Sequence, residues 1–305
     1  MARVPRVAVV GVVVQDSIEG EDGSRAVGLG GLAYSVGALA TLGGAAVEIV
    51  PVCRVAADTR EAVDLEWDRY PNVSKEALVA WAGPGSRVDL VYRPGGLVGG
   101  DRDEHLRSPT PPLEADEIRC VADCSAVLIN CITGAVLTLA ALREIARLTV
   151  PIHLDVHSLV LGIDPSGRRY PSRPDDWRCW LESADSLQCN EQEASILAGE
   201  SEWNAATEGF VRGLVDSRVG PNLVLVTRDA RGASLYRPDR SRLDLPAPQV
   251  ELVDPTGAGD AFGAAFVIER MRGVGAEVAA RRAVATASAS CRFRGTRALG
   301  NLASA

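Results

Sequence analysis

The stretch Asp254-Pro255-Thr256-Gly257-Ala258-Gly259-Asp260-Ala261-Phe262 decides how the rest of this chain is read. Three small residues, Gly257 to Gly259, open a pattern in which Ala261, Phe262, Ala265 and Phe266 are apolar, which predicts a helix over residues 256–271. A helix start carries free N–H groups and the positive end of the dipole, and glycines there let a phosphate reach the backbone. Asp260 lies one residue into that cradle. A carboxylate repels phosphate, so it suits this place if it handles a proton or a metal at the reacting phosphate. The plainer alternative is a glycine-rich turn with Asp254 as N-cap, Pro255 as first helical residue and Asp260 gaining from the dipole. The phosphate-binding pattern GxxxxGK[ST] is absent from the chain.

On the N-terminal side, short and nearly all-apolar runs alternate with helical patterns. Residues 7–14, 127–129, 152–156 and 223–226 read as strands covered on both faces, and residues 32–42, 136–148, 190–198, 203–216 and 277–290 as helices. This alternation predicts an α/β fold with an open, mainly parallel sheet flanked by helices and ligands at the carboxyl ends of the strands. Two stretches break the rhythm: polar residues 17–28, and the Gly- and Pro-rich residues 83–112 around a strand at 88–92. They predict a small β flap, or long loops, beside the main sheet. The expectation is one domain over 1–305 with flap segments at roughly 15–29 and 83–107.

Composition excludes several classes. With 305 residues, 47% hydrophobic and 24% charged, the chain can bury a sizeable core and is not a disordered segment. Its 32 basic and 40 acidic residues give a net charge of −8, and no basic block interleaved with aromatics marks a nucleic-acid surface. The apolar run 7–14 is far below the ~18 residues of a membrane span. Arg3 and Arg6 precede it as in a signal peptide, but Gln15 and Asp16 cut it short with no small-residue cleavage site. A first strand and a cytoplasmic protein are expected. The seven cysteines are odd in number and lack paired spacing, which predicts buried reduced thiols over disulfides or a zinc site.

The segment 254–262 resembles the C-terminal signature of the PfkB (ribokinase-like) carbohydrate kinase family. Further features follow in the family's order over roughly residues 7–295: Gly11 to Asp16, Gly30-Gly31 before a small-residue helix, Asn190-Glu191-Gln192-Glu193 after a strand, and Thr227 to Gly232. The resemblance implies a ribokinase-like sheet with a β lid, and transfer of the γ-phosphate of ATP to a hydroxyl of a sugar or sugar derivative. By it, Asp260 is the general base, and Gly257, Ala258 and Gly259 form the anion hole. Asp16 holds acceptor hydroxyls, with Gly30 and Gly31 beside it. Asn190 lies near the phosphates, Glu193 places Mg²⁺ through water, and Thr227 and Gly232 lie beside the nucleotide. It also implies a homodimer through the flap.

A nucleoside kinase of the same family is the alternative activity, and a non-catalytic nucleotide- or sugar-binding protein the rival class. The spacing of Asn190 and Glu193 equally fits a helix cap without any ligand. Three departures stand out. Ala33-Tyr34-Ser35 replaces the family's sugar-contacting asparagine, so that Ser35 or Tyr34 would take its place; Asp229 stands where the family has a glycine; and Val55-Ala56-Ala57-Asp58 lacks one.

Two other patterns point elsewhere. Gly28-Leu29-Gly30-Gly31-Leu32-Ala33 fits the dinucleotide pattern GxGxxG/A, but it follows a polar loop and lacks the later acidic residue. His153, Asp155 and His157 alternate along a strand with the composition of a two-histidine-one-carboxylate iron site. Buried, hydrogen-bonded histidines explain them more simply, with Asp155 and His157 at the strand end facing substrate.

Overall fold

In the computed structural model, residues 4–93, 102–216 and 220–304 are described; of the flap segment 83–107, residues 94–101 lie outside them. The first third comprises β1 (Arg6–Val10), β2 (Val13–Glu19), β3 (Arg25–Gly31), α1 (Leu32–Gly43), β4 (Glu48–Ala56), α2 (Arg60–Trp67), β5 (Leu78–Trp81) and β6 (Ser86–Tyr92). The middle holds β7 (Arg102–Arg107), β8 (Ala126–Asn130), α3 (Leu139–Ala146), β9 (Ile152–Asp155), β10 (Leu161–Ile163), β11 (Arg169–Pro171), α4 (Trp177–Glu182) and β12 (Ser186–Asn190). There follow α5 (Glu191–Ala198), α6 (Ala205–Asp216), β13 (Leu223–Thr227), β14 (Ala233–Tyr236), β15 (Arg242–Leu245), α7 (Ala258–Met271) and α8 (Ala276–Ser290).

Nine strands form one sheet in the order β15-β14-β13-β12-β9-β8-β1-β4-β5. All neighbours are parallel except the β13-β14-β15 edge, which is antiparallel. Every residue of β1 and β8 is buried, as expected for parallel strands covered on both faces. This is the open, mainly parallel α/β sheet the alternating pattern predicts. Helix α7 is buried from Asp260 to Glu269 without interruption, lying between α1 and α8. Its apolar stripe therefore wraps the helix, as befits one covered on every side.

The apolar run 7–14 is not one strand. β1 ends at Val10, and β2 begins at Val13 in a second sheet, of order β3-β2-β6-β7. The break falls at Gly11, where a Cβ would stand 2.8 Å from Leu32 Cδ1 and 3.0 Å from the Asn130 carbonyl. A side chain there would crowd both, and past it the chain turns out of the main sheet. Asp16 consequently lies inside a strand of the second sheet, opposite Gly28 and Val88, and not at the end of the first strand.

Residues 17–28, irregular by composition, pair as the antiparallel β2–β3. Gly28, Gly30 and Gly31 belong to β3, which runs straight into α1. The dinucleotide-like pattern thus lies within the end of an antiparallel strand of the small sheet and the start of a helix. No βαβ turn is formed there. The hairpin β10–β11 touches the outer edge of the small sheet, where Leu106 N donates to Gly167 O at 2.8 Å and Arg168 pairs with Asp103 at 3.3 Å.

All seven cysteines are free; Cys53, Cys124, Cys131 and Cys189 are buried and Cys120, Cys179 and Cys291 half-buried. Among the described residues no helix is long and apolar enough to cross a membrane.

Candidate active site

The carboxyl ends of β8, β9 and β12 meet the starts of α1 and α7, with Asp16 of the small sheet close by. Helix α7 begins at Ala258, two residues later than its apolar spacing predicts, with Gly257 as N-cap in the left-handed region (φ 80°). Asp254 is not the cap: its Oδ1 accepts from Thr256 N at 2.9 Å, closing a turn before the helix. Gly257 must be a glycine twice over, since a Cβ would lie 2.2 Å from the Tyr34 ring. No side chain caps the first turn of α7. The Ala258 N–H is drawn to the Pro255 carbonyl at 3.1 Å.

Asp260 sits in this first turn, buried. Its Oδ1 accepts from Ser35 Oγ at 2.5 Å and from Asn130 Nδ2 at 2.7 Å; Asn130 Nδ2 also donates to Ser35 Oγ at 2.9 Å. Burial pushes the Asp260 carboxyl up to about 6, while the two hydrogen bonds pull the other way. Ser35 has no exposed surface, so in this structure its hydroxyl is committed to Asp260. Asn130, at the end of β8, escaped the sequence reading. The buried strand run 127–129 that precedes it was visible, but nothing local marked the next residue as Asp260's partner.

Asp16 hangs from β2 with its carboxylate over Gly30, where a Cβ would stand 1.7 Å from Oδ2. Burial raises it to about 7, and the nearby Glu104 and Asp260 carboxylates add to the rise while Arg102 opposes it. Gly31, also left-handed (φ 57°), starts α1, and a Cβ there would meet the Val12 carbonyl at 2.6 Å. From β7, Glu104 joins Arg102 at 3.4 Å and the buried Arg169 at 2.9 Å. Arg169 also donates to the Ile132 carbonyl at 3.1 Å, tying the small sheet to the tip of β8. Glu104, Arg102 and Arg169 carry no motif that would single them out beforehand.

On the other side, Asn190 and Glu193 form a complete capping box on α5. Asn190 Oδ1 accepts from Glu193 N, and Glu193 Oε2 from Asn190 N, both at 2.8 Å; Asn190 Nδ2 donates to Glu193 Oε1 at 2.9 Å. Burial lifts the Glu193 carboxyl to about 7. Asp155, at the end of β9, is raised well above its ordinary value by burial and by the Glu193 and Asp260 carboxylates.

His157 leaves the alternation: it sits past the end of β9 at φ 38°. Both His153 nitrogens are engaged inside the core, by Ser186 at 2.8 Å and Gln188 at 3.3 Å. The iron-type triad is therefore not assembled.

Thr227 ends β13, its hydroxyl donating to Cys189 O at 3.5 Å, and the turn to β14 closes with Arg228 N on Gly232 O at 2.8 Å. Gly232 (φ 93°) passes so close to Leu245 that a Cβ would lie 1.9 Å from its carbonyl oxygen. Asp229 adopts φ 48°, a conformation aspartate tolerates better than most residues, which accounts for its standing in for a glycine.

A nine-stranded α/β sheet with a four-stranded β lid over its strand ends is the ribokinase-like fold. Two solved structures superpose on nearly the whole chain. One is a pyrophosphate-dependent kinase of the ribokinase family in complex with sulfate (TM-score 0.78, 18% identity, 95% of this chain and 96% of that one). Another is the ribokinase of Arabidopsis thaliana with ribose and ATP (TM-score 0.72, 20% identity, 99% of each chain).

In sequence, residues 163–302 match the model of the pfkB family of carbohydrate kinases. A ribokinase of Arabidopsis thaliana is 29% identical over 188 residues, 59% of this chain. The matched region spans 44% of that relative's length.

Proposed function

We propose that this protein is an ATP-dependent kinase that phosphorylates a hydroxyl of a sugar or sugar derivative in the cytoplasm. The observation that carries it is the buried Asp260 carboxylate, clamped by Ser35 and Asn130 at the uncapped start of α7. In this reading Oδ1 stays with the clamp and Oδ2 takes the acceptor proton. A base held near pH 6 is ionised at neutral pH yet basic enough to work. Gly257, Ala258 and Gly259 shape the anion hole; with the Ala258 N–H engaged in its turn, donation to the γ-phosphate falls to the N–H groups beside it, those of Gly257, Gly259 and Asp260.

Asp16 anchors acceptor hydroxyls from the lid, with Gly30 and Gly31 giving it room, and Asp155 closes the opposite wall. Ser35 serves the acceptor through Asp260. Thr227 and Gly232 shape the turn beside the nucleotide, and Asn190 lies toward its phosphates. Mg²⁺, when bound, neutralises charge on the phosphates. The oxygens of Glu193 already accept from Asn190, which suits contact with the ion through water. The outer face of the lid, where Val27 is exposed, is the surface for a homodimer.

The test is ADP release measured across sugars, polyols and nucleosides, with Asp260→Asn as control. Turnover of a sugar or polyol that is lost in the control supports the reading. A nucleoside as the single acceptor gives the alternative activity, and no turnover with any acceptor gives the binding-protein alternative.

A further inference from the structure

Gln188 belongs to none of the motifs that mark the site, yet it reaches two parts of it. It lies on β12, two residues before Asn190, with 3% of its surface exposed. Its Nε2 donates to the Gly259 carbonyl at 2.9 Å and to Asp155 Oδ2 at 3.2 Å. A carbonyl can only accept, so the amide orientation is fixed and Oε1 is the acceptor. That oxygen faces His153 Nε2 at 3.3 Å, which must therefore carry the ring hydrogen. Nδ1 is left bare to accept from Ser186 Oγ at 2.8 Å. Burial lowers the His153 pKa to about 4, so the ring stays neutral and the donor order is stable across neutral pH.

The same face of α7 rests on this column. A Cβ on Gly263 would stand 2.9 Å from Gln188 Oε1, and the Phe266 ring centroid lies 5.3 Å from that of His153. The parallel register places Ser186 beside His153 and Gln188 beside Asp155, so the column stands on two central strands. The Gly259 carbonyl and the Asp260 N–H belong to one planar trans peptide and point in opposite directions. A donor on the carbonyl therefore aims that N–H at the open end of the helix.

We propose that Gln188 is a positioning residue of the phosphotransfer site: it locks the Gly259–Asp260 peptide and Asp155 in one frame, so that the Asp260 N–H faces the transferring phosphate. His153 and Ser186 hold Gln188 in the orientation this requires. The proposal rests on the kinase reading, but the anion hole can be probed without turnover.

Gln188→Met keeps the length of the side chain and removes both donors. Gly263→Ala keeps every donor, suits a helix better than glycine, and crowds Gln188 Oε1. Inorganic phosphate binding is measured by titration calorimetry on the wild type and both variants, beside kcat and KM on any acceptor the wild type uses. One misdirected charge-assisted hydrogen bond corresponds to about ten- to a hundredfold. The expected result is phosphate affinity and kcat lowered by that order in Gln188→Met and less in Gly263→Ala, with acceptor KM also raised in Gln188→Met, which frees Asp155, and within about twofold in Gly263→Ala, which keeps that donor.

Phosphate affinity at the wild-type level in the folded variants overturns the proposal, and so does a wild type that binds no phosphate. If Gln188→Met does not fold, Gly263→Ala decides alone. A wild type that binds phosphate but turns over no acceptor defeats the kinase reading and leaves the phosphate result to judge Gln188.

Discussion

Asp260 is buried, held by two donors and raised to about 6 from an ordinary 3.8. Between those values the folded chain keeps a proton that the unfolded chain has lost, so the stability this gives is present at low pH and fades as pH rises through about 6. Asp260→Asn should therefore raise the Tm at pH 8, with the gain shrinking toward pH 4, a comparison made by calorimetry. The same substitution should lower kcat by ~10²–10⁴ while donor binding persists. In the wild type, kcat should climb with pH along a limb centred near 6; a rate independent of pH between 5 and 8 would remove Asp260 as the base.

Asp16 offers a second test at this scale, because Gly30→Ala would drive a methyl into its carboxylate. Both Asp16→Ala and Gly30→Ala should cut kcat/KM for the acceptor by roughly ten- to a hundredfold per lost bond, with binding of a nonhydrolysable ATP analogue unchanged. Calorimetric titration of each ligand separates the two effects.

Among elements, the starts of α7 and α5 carry the phosphate end of the site in different ways. Helix α7 leaves its first turn without a side-chain cap and needs Gly257 at φ 80° under the Tyr34 ring. Gly257→Ala should cost ~1–2 kcal/mol of backbone strain and weaken donor binding. Adding Tyr34→Ala should relieve the ring contact and leave the strain, so that denaturation recovers only in part. Helix α5 is closed by its capping box, and truncating Asn190 and Glu193 together should lower stability by about 0.5–2 kcal/mol per cap interaction. If Glu193 also serves the cation, half-maximal rate in that variant moves to higher Mg²⁺. A loss that follows the Tm alone, at saturating Mg²⁺, assigns the pair to capping.

Across the whole molecule, polar links among the described residues tie the lid to the rest of the chain. The most buried is Arg169, 1% exposed, which binds Glu104 of the lid and the carbonyl of Ile132. Removing one partner of a buried pair costs ~3–5 kcal/mol, because the other charge stays buried. Glu104→Gln should thus loosen the lid. Hydrogen exchange should quicken in β6 and β7 and stay unchanged in β8 and β9, and acceptor KM should rise severalfold. Equal exchange in the lid strands would show that apolar packing of Val88, Leu90 and Leu106 holds it without the ion pair.

The sequence by itself determined what is local. Glycines, small residues and apolar spacing over 254–271 marked the helix and its phosphate cradle, and apolar runs separated by helical patterns gave the parallel sheet. Asn190 and Glu193 were visible because a cap is built within four residues.

Tertiary structure decided what depends on distant parts meeting. The hydroxyl that clamps Asp260 comes from 225 positions away and the amide from 130. The chain leaves the main sheet at Gly11, which is packed against Leu32 and Asn130 from distant elements, and Asp16 follows it into the lid. Gln188 reads as one more strand residue until α7 is laid across it. The raised carboxyls share this origin. Desolvation is set by everything packed around a group, and periodicity along the chain encodes only which face of an element turns inward.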